Sequence, residues 1–187
     1  MSSHHVVREK QEPALYIHHF GIFDEEHLGQ LLEWSPTLLV ASSEYEKAIS
    51  LGLKVDVVIG KQENSQIQEN TKWIFSPTGS LQATVKYLIA EKYPAVNIIG
   101  LESKFDDIAD LIREIDIVLF TSTEKSYPIK AGFSVWKPAG AIFKIDIISY
   151  FETSNLKPIT DGSFEVIADG FVSFTFATDY LFLSELL

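Results

Sequence analysis

Four acidic residues lie close together in one short segment of the chain: Asp106, Asp107, Asp110 and Glu114. Carboxylate oxygens are the ligands that hard cations prefer, so this group has the chemistry of a cation site. Asp110 and Glu114 are four residues apart and would be neighbours on one helix face. The same spacing is typical of a solvated acidic helix with Asp106 or Asp107 as its cap, and that interpretation is favoured.

Two other pairs carry groups used in catalysis. His18 and His19 are adjacent, and neighbouring strand residues point to opposite faces, so the pair would chelate one ion poorly. A surface position at a strand end is favoured over a metal site. Ser42 and Ser43 have no histidine nearby in the sequence and no G-x-S-x-G context, so a serine nucleophile is not expected.

The aromatic residues Phe133 and Trp136 could form the floor of a pocket for a ring-shaped ligand. Alternating aromatic residues in strands usually belong to a core, however. The core interpretation is favoured and the pocket is the alternative.

The charge of the chain limits its partners. Its 26 acidic and 15 basic residues give a formal net charge of −11, which repels phosphates at long range. We therefore expect neither nucleic acid nor membrane surfaces as partners. No basic run offsets this field for ATP.

Composition also predicts a location. No apolar run reaches the ~20 residues that span a bilayer, and the start lacks the apolar core of a secretory signal. The absence of cysteine excludes disulfides, thiolate nucleophiles and sulfur-ligated zinc. We expect a cytoplasmic protein.

The first ~120 residues alternate apolar runs with helix-like segments, which predicts an α/β domain over residues 1–122 with a doubly wound, mostly parallel sheet. The predicted strands are 14–17, 38–41, 55–59, 73–75, 96–99 and 117–121. Helices are expected after Asp24, from Ser43 or Glu44 to Gly52, from Ser80 to Pro94, and over 107–114. Leu51 is expected to pack in the second of these helices.

Residues 123–187 lack any useful helical period and predict a small all-β sandwich domain. Strands are expected at 131–136, 141–149, 164–168, 171–177 and 180–183. Asp169 and Gly170 are suited to a two-residue hairpin turn between the third and fourth of these strands.

The segment from Ala41 to Asn64 resembles the catalytic segment of thiamine pyrophosphokinases. That family carries A-D-G-G-A-N, a helix ending in G-[IL]-x-P-D, a strand V-V-I-G and then D-F-D-S. This chain has A-S-S-E-Y-E at 41–46, G-L-K-V-D at 52–56, V-V-I-G at 57–60 and K-Q-E-N at 61–64. Pro77 matches the start of the family's P-x-K-D-x-T-D, and 154–159 resembles its G-L-K-Y-P-L.

The resemblance implies a site with the family's magnesium and ATP, in which most catalytic residues are replaced. The positions that match family catalytic residues are Ser42, Lys61, Glu63, Ser80 and Asp106. Those that match binding positions are Ser43, Glu46, Gly60, Gln82, Trp136 and Asn155. Of the four positions that match the family's metal ligands, Ser42, Lys61, Glu63 and Ser80, only Glu63 keeps a carboxylate. Losing one well-placed group commonly costs ~10²–10³ in rate, so the replacement of several predicts little turnover.

Three hypotheses follow. The first is a thiamine pyrophosphokinase-like homodimer, catalytically impaired, that binds at most a thiamine-like or nucleotide small molecule. The second is an active kinase that transfers pyrophosphate from ATP to thiamine with a rearranged metal site built from Glu63, Asp56 and an acid near Asp106. The third is a structural or protein-binding module that kept only the fold.

Overall fold

In a computed structural model, the chain divides into two compact units, Met1–Ser122 (unit 1) and Thr123–Leu187 (unit 2). The structure describes residues 12–61, 67–77, 80–100, 105–145, 150–160 and 162–187. Among these residues, no helix is both long and apolar enough to cross a membrane.

The described part of unit 1 is built on six parallel strands. They are β1 Ala14–Ile17, β2 Leu38–Ala41, β3 Val57–Gly60, β4 Lys72–Phe75, β5 Ala95–Ile99 and β6 Asp116–Phe120. Their order is β6-β5-β1-β2-β3-β4, and every pairing between them is parallel. After β1 the chain adds β2, β3 and β4 on one side of β1, and then β5 and β6 on the other side. The strand order therefore reverses between β1 and β5.

Helices pack on both faces of this sheet. The helices are α1 Glu25–Leu32, α2 Tyr45–Ser50 and α3 Ser80–Ala90. Leu28 of α1 and Tyr45 and Ala48 of α2 join the core on the face of Leu15 and Ile17. Tyr16 points to the other face because strand side chains alternate. There α3 contacts β2 and β3.

Local structure marks where two helices begin. The Asp24 carboxylate accepts hydrogen bonds from the backbone N–H groups of Glu26 and His27, which caps α1 as predicted. A single 3₁₀ turn, Ser42–Glu44, precedes α2. Leu51, which was expected to pack, lies just after α2 and is largely exposed.

The predicted helix over 107–114 is wrong. A 3₁₀ turn covers Phe105–Ile108, and the chain continues through further turns to β6. Ile108 and Ile112 are nevertheless buried, so the segment packs without forming an α-helix. Aspartates favour turns because their side chains compete for nearby backbone hydrogen bonds, and this segment contains several.

Strand β4 is the edge strand of the sheet, with half-buried Trp73 and Ile74 between exposed Lys72 and Phe75. Strand β3 begins two residues later than predicted, at Val57. Asp56 precedes the strand because its side chain binds the neighbouring strand: the Asp56 carboxylate accepts the Leu38 N–H at 2.9 Å, where β2 begins.

In unit 2 every described element is a strand. They are β7 Glu124–Ile129, β8 Ser134–Lys137, β9 Ile142–Ile145, β10 Phe151–Thr153, β11 Leu156–Pro158, β12 Ser163–Val166, β13 Gly170–Phe176 and β14 Leu181–Leu186. Antiparallel pairing gives the sheets β11-β12-β9-β14-β7 and β10-β13-β8. Phe143 of the first sheet and Phe174 of the second meet edge to face in one shared core.

The hairpin predicted at Asp169 and Gly170 is wrong. The strands on either side, β12 and β13, belong to different sheets, so these residues carry the chain from one sheet to the other. The Asp169 carboxylate accepts the Ala139 N–H at 2.7 Å, in another crossing between the sheets. Strands β7, β10 and β11 were not predicted. The last two are only three residues long, too short for alternation to be recognised.

Candidate functional site

Polar residues collect at the carboxyl edge of the parallel sheet in unit 1. His18 and His19 follow β1, Ser42 follows β2, and Lys61 follows β3. Ser80 is the first residue of α3 and lies beside His18. Ligands of open α/β sheets bind outside the carboxyl ends of the strands where the strand order reverses, which here is at β1 and β5. This edge is therefore the candidate site.

A buried hydroxyl anchors the first part of the site. The Tyr16 hydroxyl lies 3.1 Å from Nδ1 of His18, and Ser80 Oγ lies 3.3 Å from the same nitrogen. Burial raises the pKa of Tyr16 to about 12, so the phenol keeps its proton. When the His18 ring proton is on Nε2, Nδ1 has one lone pair and can accept a hydrogen bond from either hydroxyl.

His18 is held in its neutral form. Burial lowers its pKa, and the neighbouring His19 lowers it further, while Glu44 and Asp107 act in the opposite direction. A neutral imidazole next to a serine hydroxyl is able to accept a proton. The arrangement therefore places a neutral imidazole and a serine hydroxyl together at the carboxyl edge of the sheet.

Glu44 forms the second part of the site. Its Oε1 lies 2.8 Å from Nδ1 of His19, and its Oε2 accepts the Phe20 N–H at 3.1 Å. Only 9% of the residue is exposed, although glutamate is rarely buried without partners. These contacts connect the 3₁₀ turn after β2 to the loop after β1.

Two glycines allow close approach along the same edge. A side chain at Gly60 would place Cβ 2.2 Å from Ser42 Oγ, and one at Gly100 would place it 1.6 Å from the His19 carbonyl oxygen. Both are far inside normal contact distance. The ends of β2 and β3, and those of β1 and β5, therefore meet without space for a methyl group.

A small cavity lies beside these contacts. Its volume is ≈ 70 Å³, and His19, Phe20, Gly100 and Thr121 are among the residues that line it. Pockets for drug-sized ligands measure roughly 300–1,000 Å³, so this cavity suits a small group rather than a whole nucleotide or thiamine.

The positions matched to family residues lie as follows. Ser42 contacts the Gly60 region, Ser80 contacts His18, and Lys61 is exposed just after Gly60. Ser43 and Glu46 are exposed on the 3₁₀ turn and on α2. The Gln82 amide donates to the Asp107 carbonyl at 2.8 Å. Glu63 and the side chain of Asp106 lie outside the described residues.

The described residues do not fit a magnesium ion. No group of three His, Cys, Asp or Glu side chains among them could hold a metal. The matched positions that can be described offer two serines and a lysine, whereas Mg²⁺ requires oxygen ligands that usually include carboxylates. Asp56 lies at the amino edge, opposite the other candidates, and its carboxylate binds the Leu38 N–H.

In unit 2 the matched residues are Trp136 and Asn155, and Phe133 is the other candidate for the floor of a pocket. Trp136 is exposed, opposite Phe171 on the neighbouring strand, whereas Phe133 packs against Tyr127 and Phe174. Phe133 is thus a core residue. The Asn155 amide donates to the Ala168 carbonyl at 2.6 Å and accepts the Ala168 N–H at 3.0 Å, which pins the chain after β12.

Sequence reasoning did not identify His18, Glu44 or Tyr16 as site residues. The two histidines were considered as one chelating pair, and alternation argued against that. The same alternation sends each ring to a different neighbour, His18 to Ser80 and His19 to Glu44. The position of both at a strand end was the signal that could have found them.

The sequence matches no protein-family model and no curated protein. Solved structures are similar in fold. Thiamine pyrophosphokinase from Bacillus subtilis has a TM-score of 0.69 and 12% identity, covering 94% of this chain and 99% of that one. The enzyme from Geobacillus thermodenitrificans gives 0.70 and 10%, covering 94% and 98%. Yeast thiamin pyrophosphokinase gives 0.67 and 10%, covering 97% and 88%.

These similarities cover 94–97% of the chain and therefore extend over both units. The chain therefore has the thiamine pyrophosphokinase fold.

Proposed function

We propose that this chain is a thiamine pyrophosphokinase-like protein with impaired catalysis, retaining at most the binding of a small molecule. One observation carries the proposal. The carboxyl edge of the sheet has the strand ends and close glycine contacts of a ligand site, and in our match to the family's motifs Ser42, Lys61 and Ser80 replace acidic residues.

The chemistry of that edge supports the proposal. Transfer of a pyrophosphoryl group from ATP depends mainly on positioning and on metal ions that neutralise phosphate charge. Lys61 would repel a divalent cation, and the buried Glu44 carboxylate would repel a phosphate. Both substitutions act against the same reaction.

The proposal extends to organisation. Unit 1 is a doubly wound nucleotide-binding-like domain, unit 2 a β-sandwich matched to the family's thiamine side, and the protein a homodimer. Candidate ligands are thiamine, thiamine diphosphate and ATP. Light scattering coupled to size-exclusion chromatography tests the dimer directly.

The test of function has two assays. Wild-type protein with ATP, Mg²⁺ and thiamine should form no AMP above the level of a heat-denatured control, because co-acting groups are missing. Calorimetric titration with thiamine, thiamine diphosphate and ATP should give saturable binding of at least one, with Kd below ~1 mM.

Each contrary result has a distinct meaning. Formation of AMP at a rate proportional to protein would overturn impaired catalysis and establish an active kinase. Absence of binding of all three ligands up to ~10 mM would overturn small-molecule binding and leave a structural or protein-binding module.

A further inference from the structure

The Glu44 carboxylate has partners that normally recognise anions. One oxygen accepts a backbone N–H, from Phe20, and the other lies 2.8 Å from a histidine nitrogen, in His19. Backbone N–H groups and imidazole donors in a loop bind phosphate and carboxylate groups alike. Glu44 therefore occupies a set of donors that an external oxyanion could use.

The location of these donors is that of a ligand site. Phe20 and His19 follow β1, next to β5, where the strand order of unit 1 reverses. Both also line the cavity of ≈ 70 Å³, which has space for a small oxyanion. The Glu44 carboxylate reaches the same donors from the 3₁₀ turn Ser42–Glu44 that follows β2.

The local backbone is built to hold this loop close. Gly100 meets the His19 carbonyl so tightly that any side chain would collide with it, and the His18 and His19 N–H groups both donate to the Ile99 carbonyl. The loop after β1 is thereby fixed against the end of β5. The loop itself therefore holds the Phe20 N–H in place, and this position does not depend on Glu44. A preorganised binding group is held in the same way.

We propose that the Phe20 N–H and His19 form an oxyanion site that Glu44 occupies from within, so that a phosphoryl group binds there only when this carboxylate is removed. The ligand class is an inorganic or terminal phosphoryl oxyanion. This inference goes beyond the proposed function, because it concerns an internal occupant and needs neither thiamine nor turnover.

The test compares three variants with the same change in charge. Glu44→Ala empties the donors, Glu44→Gln keeps an acceptor for the Phe20 N–H, and Glu33→Ala removes an exposed glutamate at the carboxyl end of α1. Inorganic pyrophosphate is the probe. The readouts are calorimetric Kd and the amide resonance of Phe20 in ¹⁵N-labelled protein.

Glu44→Ala should bind pyrophosphate at least about tenfold more tightly than wild type, a change of about 1.4 kcal/mol, with a saturable shift of the Phe20 amide. Glu44→Gln and Glu33→Ala should remain as weak as wild type. Adding His19→Ala to Glu44→Ala should reverse the gain.

Folding of each variant is checked by its thermal midpoint and its ¹⁵N spectrum. If Glu44→Ala does not fold, Glu44→Ser replaces it, since the shorter side chain also leaves the donors open. The proposal is overturned if the folded Ala or Ser variant shows no Phe20 shift with ~10 mM pyrophosphate. It is also overturned if wild type or Glu33→Ala binds equally well. Since thiamine is absent, these results are separate from the test of function.

Discussion

Glycine is required at Gly60 and at Gly100 for two different steric reasons. Both have positive φ, +147° at Gly60 and +85° at Gly100, which side-chain-bearing residues rarely adopt. At Gly60 the neighbour is the Ser42 side chain, whereas at Gly100 it is the His19 backbone carbonyl. A side chain can be removed or can move, but a carbonyl within a fixed loop cannot.

The loss of stability caused by alanine at each glycine should therefore depend on the atoms nearest to the new side chain. Gly52→Ala, with φ +74° and nothing within 4 Å, should cost only the backbone strain, about 1 kcal/mol. Gly60→Ala should cost about 2–3 kcal/mol because strain and a collision with Ser42 add. Gly100→Ala should cost more than either, since the loop after β1 must move. Urea unfolding measures the three free energies.

A double variant separates collision from strain at Gly60. Adding Ser42→Gly should recover the collision part in Gly60→Ala, leaving about the cost of Gly52→Ala. The same addition should not help Gly100→Ala. Equal costs for Gly52→Ala and Gly60→Ala would show that Ser42 does not limit the space.

The match of residues to the family's catalytic positions remains a prediction from the sequence, and the contacts of Glu44 could not be predicted at all. Comparison with the family motif identifies Glu44 only as a replaced glycine. Its partners, His19 and Phe20, are about 25 residues away and meet it only because β1 and β2 are neighbours. Pairing of this kind is a tertiary property, and local periodicity contains no information about it.

At the scale of elements, one ion pair joins the two sheets of unit 2. Glu185 on β14 accepts hydrogen bonds from Tyr127 on β7 and from Lys137 on β8, which lies in the other sheet. The side chains of Glu185 and Lys137 are 11% and 20% exposed, so solvent screens the pair little. A buried pair is costly to break because the remaining charge has no partner.

Glu185→Gln should destabilise unit 2 by about 2–3 kcal/mol at pH 7, measured by urea unfolding. The control is Glu165→Gln. Glu165 pairs with Lys157 at 3.0 Å, but those side chains are 34% and 54% exposed. A pair exposed to this extent contributes less than about 1 kcal/mol. Equal effects of the two substitutions would contradict the role of burial.

The same variant predicts a dependence on pH. Burial raises the pKa of Glu185, but hydrogen bonds from Lys137 and Tyr127, with Lys125 nearby, lower it overall from the ordinary 4.5. The unfolded chain therefore takes up this proton first as the pH falls. The stabilisation is complete above about pH 4.5 and is lost as the pH falls through the folded value. Wild type should decline more steeply than Glu185→Gln in this window.

Elements with a clear pattern could be predicted and those defined by packing could not. Strands β1 and β2 have the predicted ends, since short apolar runs bounded by polar residues leave little ambiguity. The segment 107–114 has apolar residues at nearly helical spacing, yet it forms turns. The crossings between sheets in unit 2 resemble hairpin turns locally, because a turn residue does not specify which sheet receives the next strand.

At the scale of the whole molecule, the charge balance makes a test of the positional match possible. Ser42, Lys61 and Ser80 lie after β2, after β3 and at the start of α3, respectively. Changing all three to aspartate should create Mg²⁺ binding detectable by calorimetry, because carboxylates would then converge at one edge. The formal net charge falls from −11 to −15, since each serine adds one negative charge and the lysine two.

A charge-matched variant controls for this change. Ser50→Asp, Lys54→Asp and Ser134→Asp together give the same net charge at exposed positions on other parts of the chain. This control should bind Mg²⁺ no better than wild type. If both triple variants gain equal affinity, net charge explains the result and the positional match fails.

The Glu44 side chain affects both the stability of the fold and the accessibility of the donors of His19 and Phe20. Its buried contacts with His19 and Phe20 hold the loop after β1, so any substitution that exposes those donors also removes bonds that support the fold. Selection for thermal stability would therefore keep the glutamate and, as a side effect, keep the donors covered. In laboratory evolution, recovery of phosphate binding should require a compensating stabilising mutation elsewhere, so the order in which mutations arise would matter.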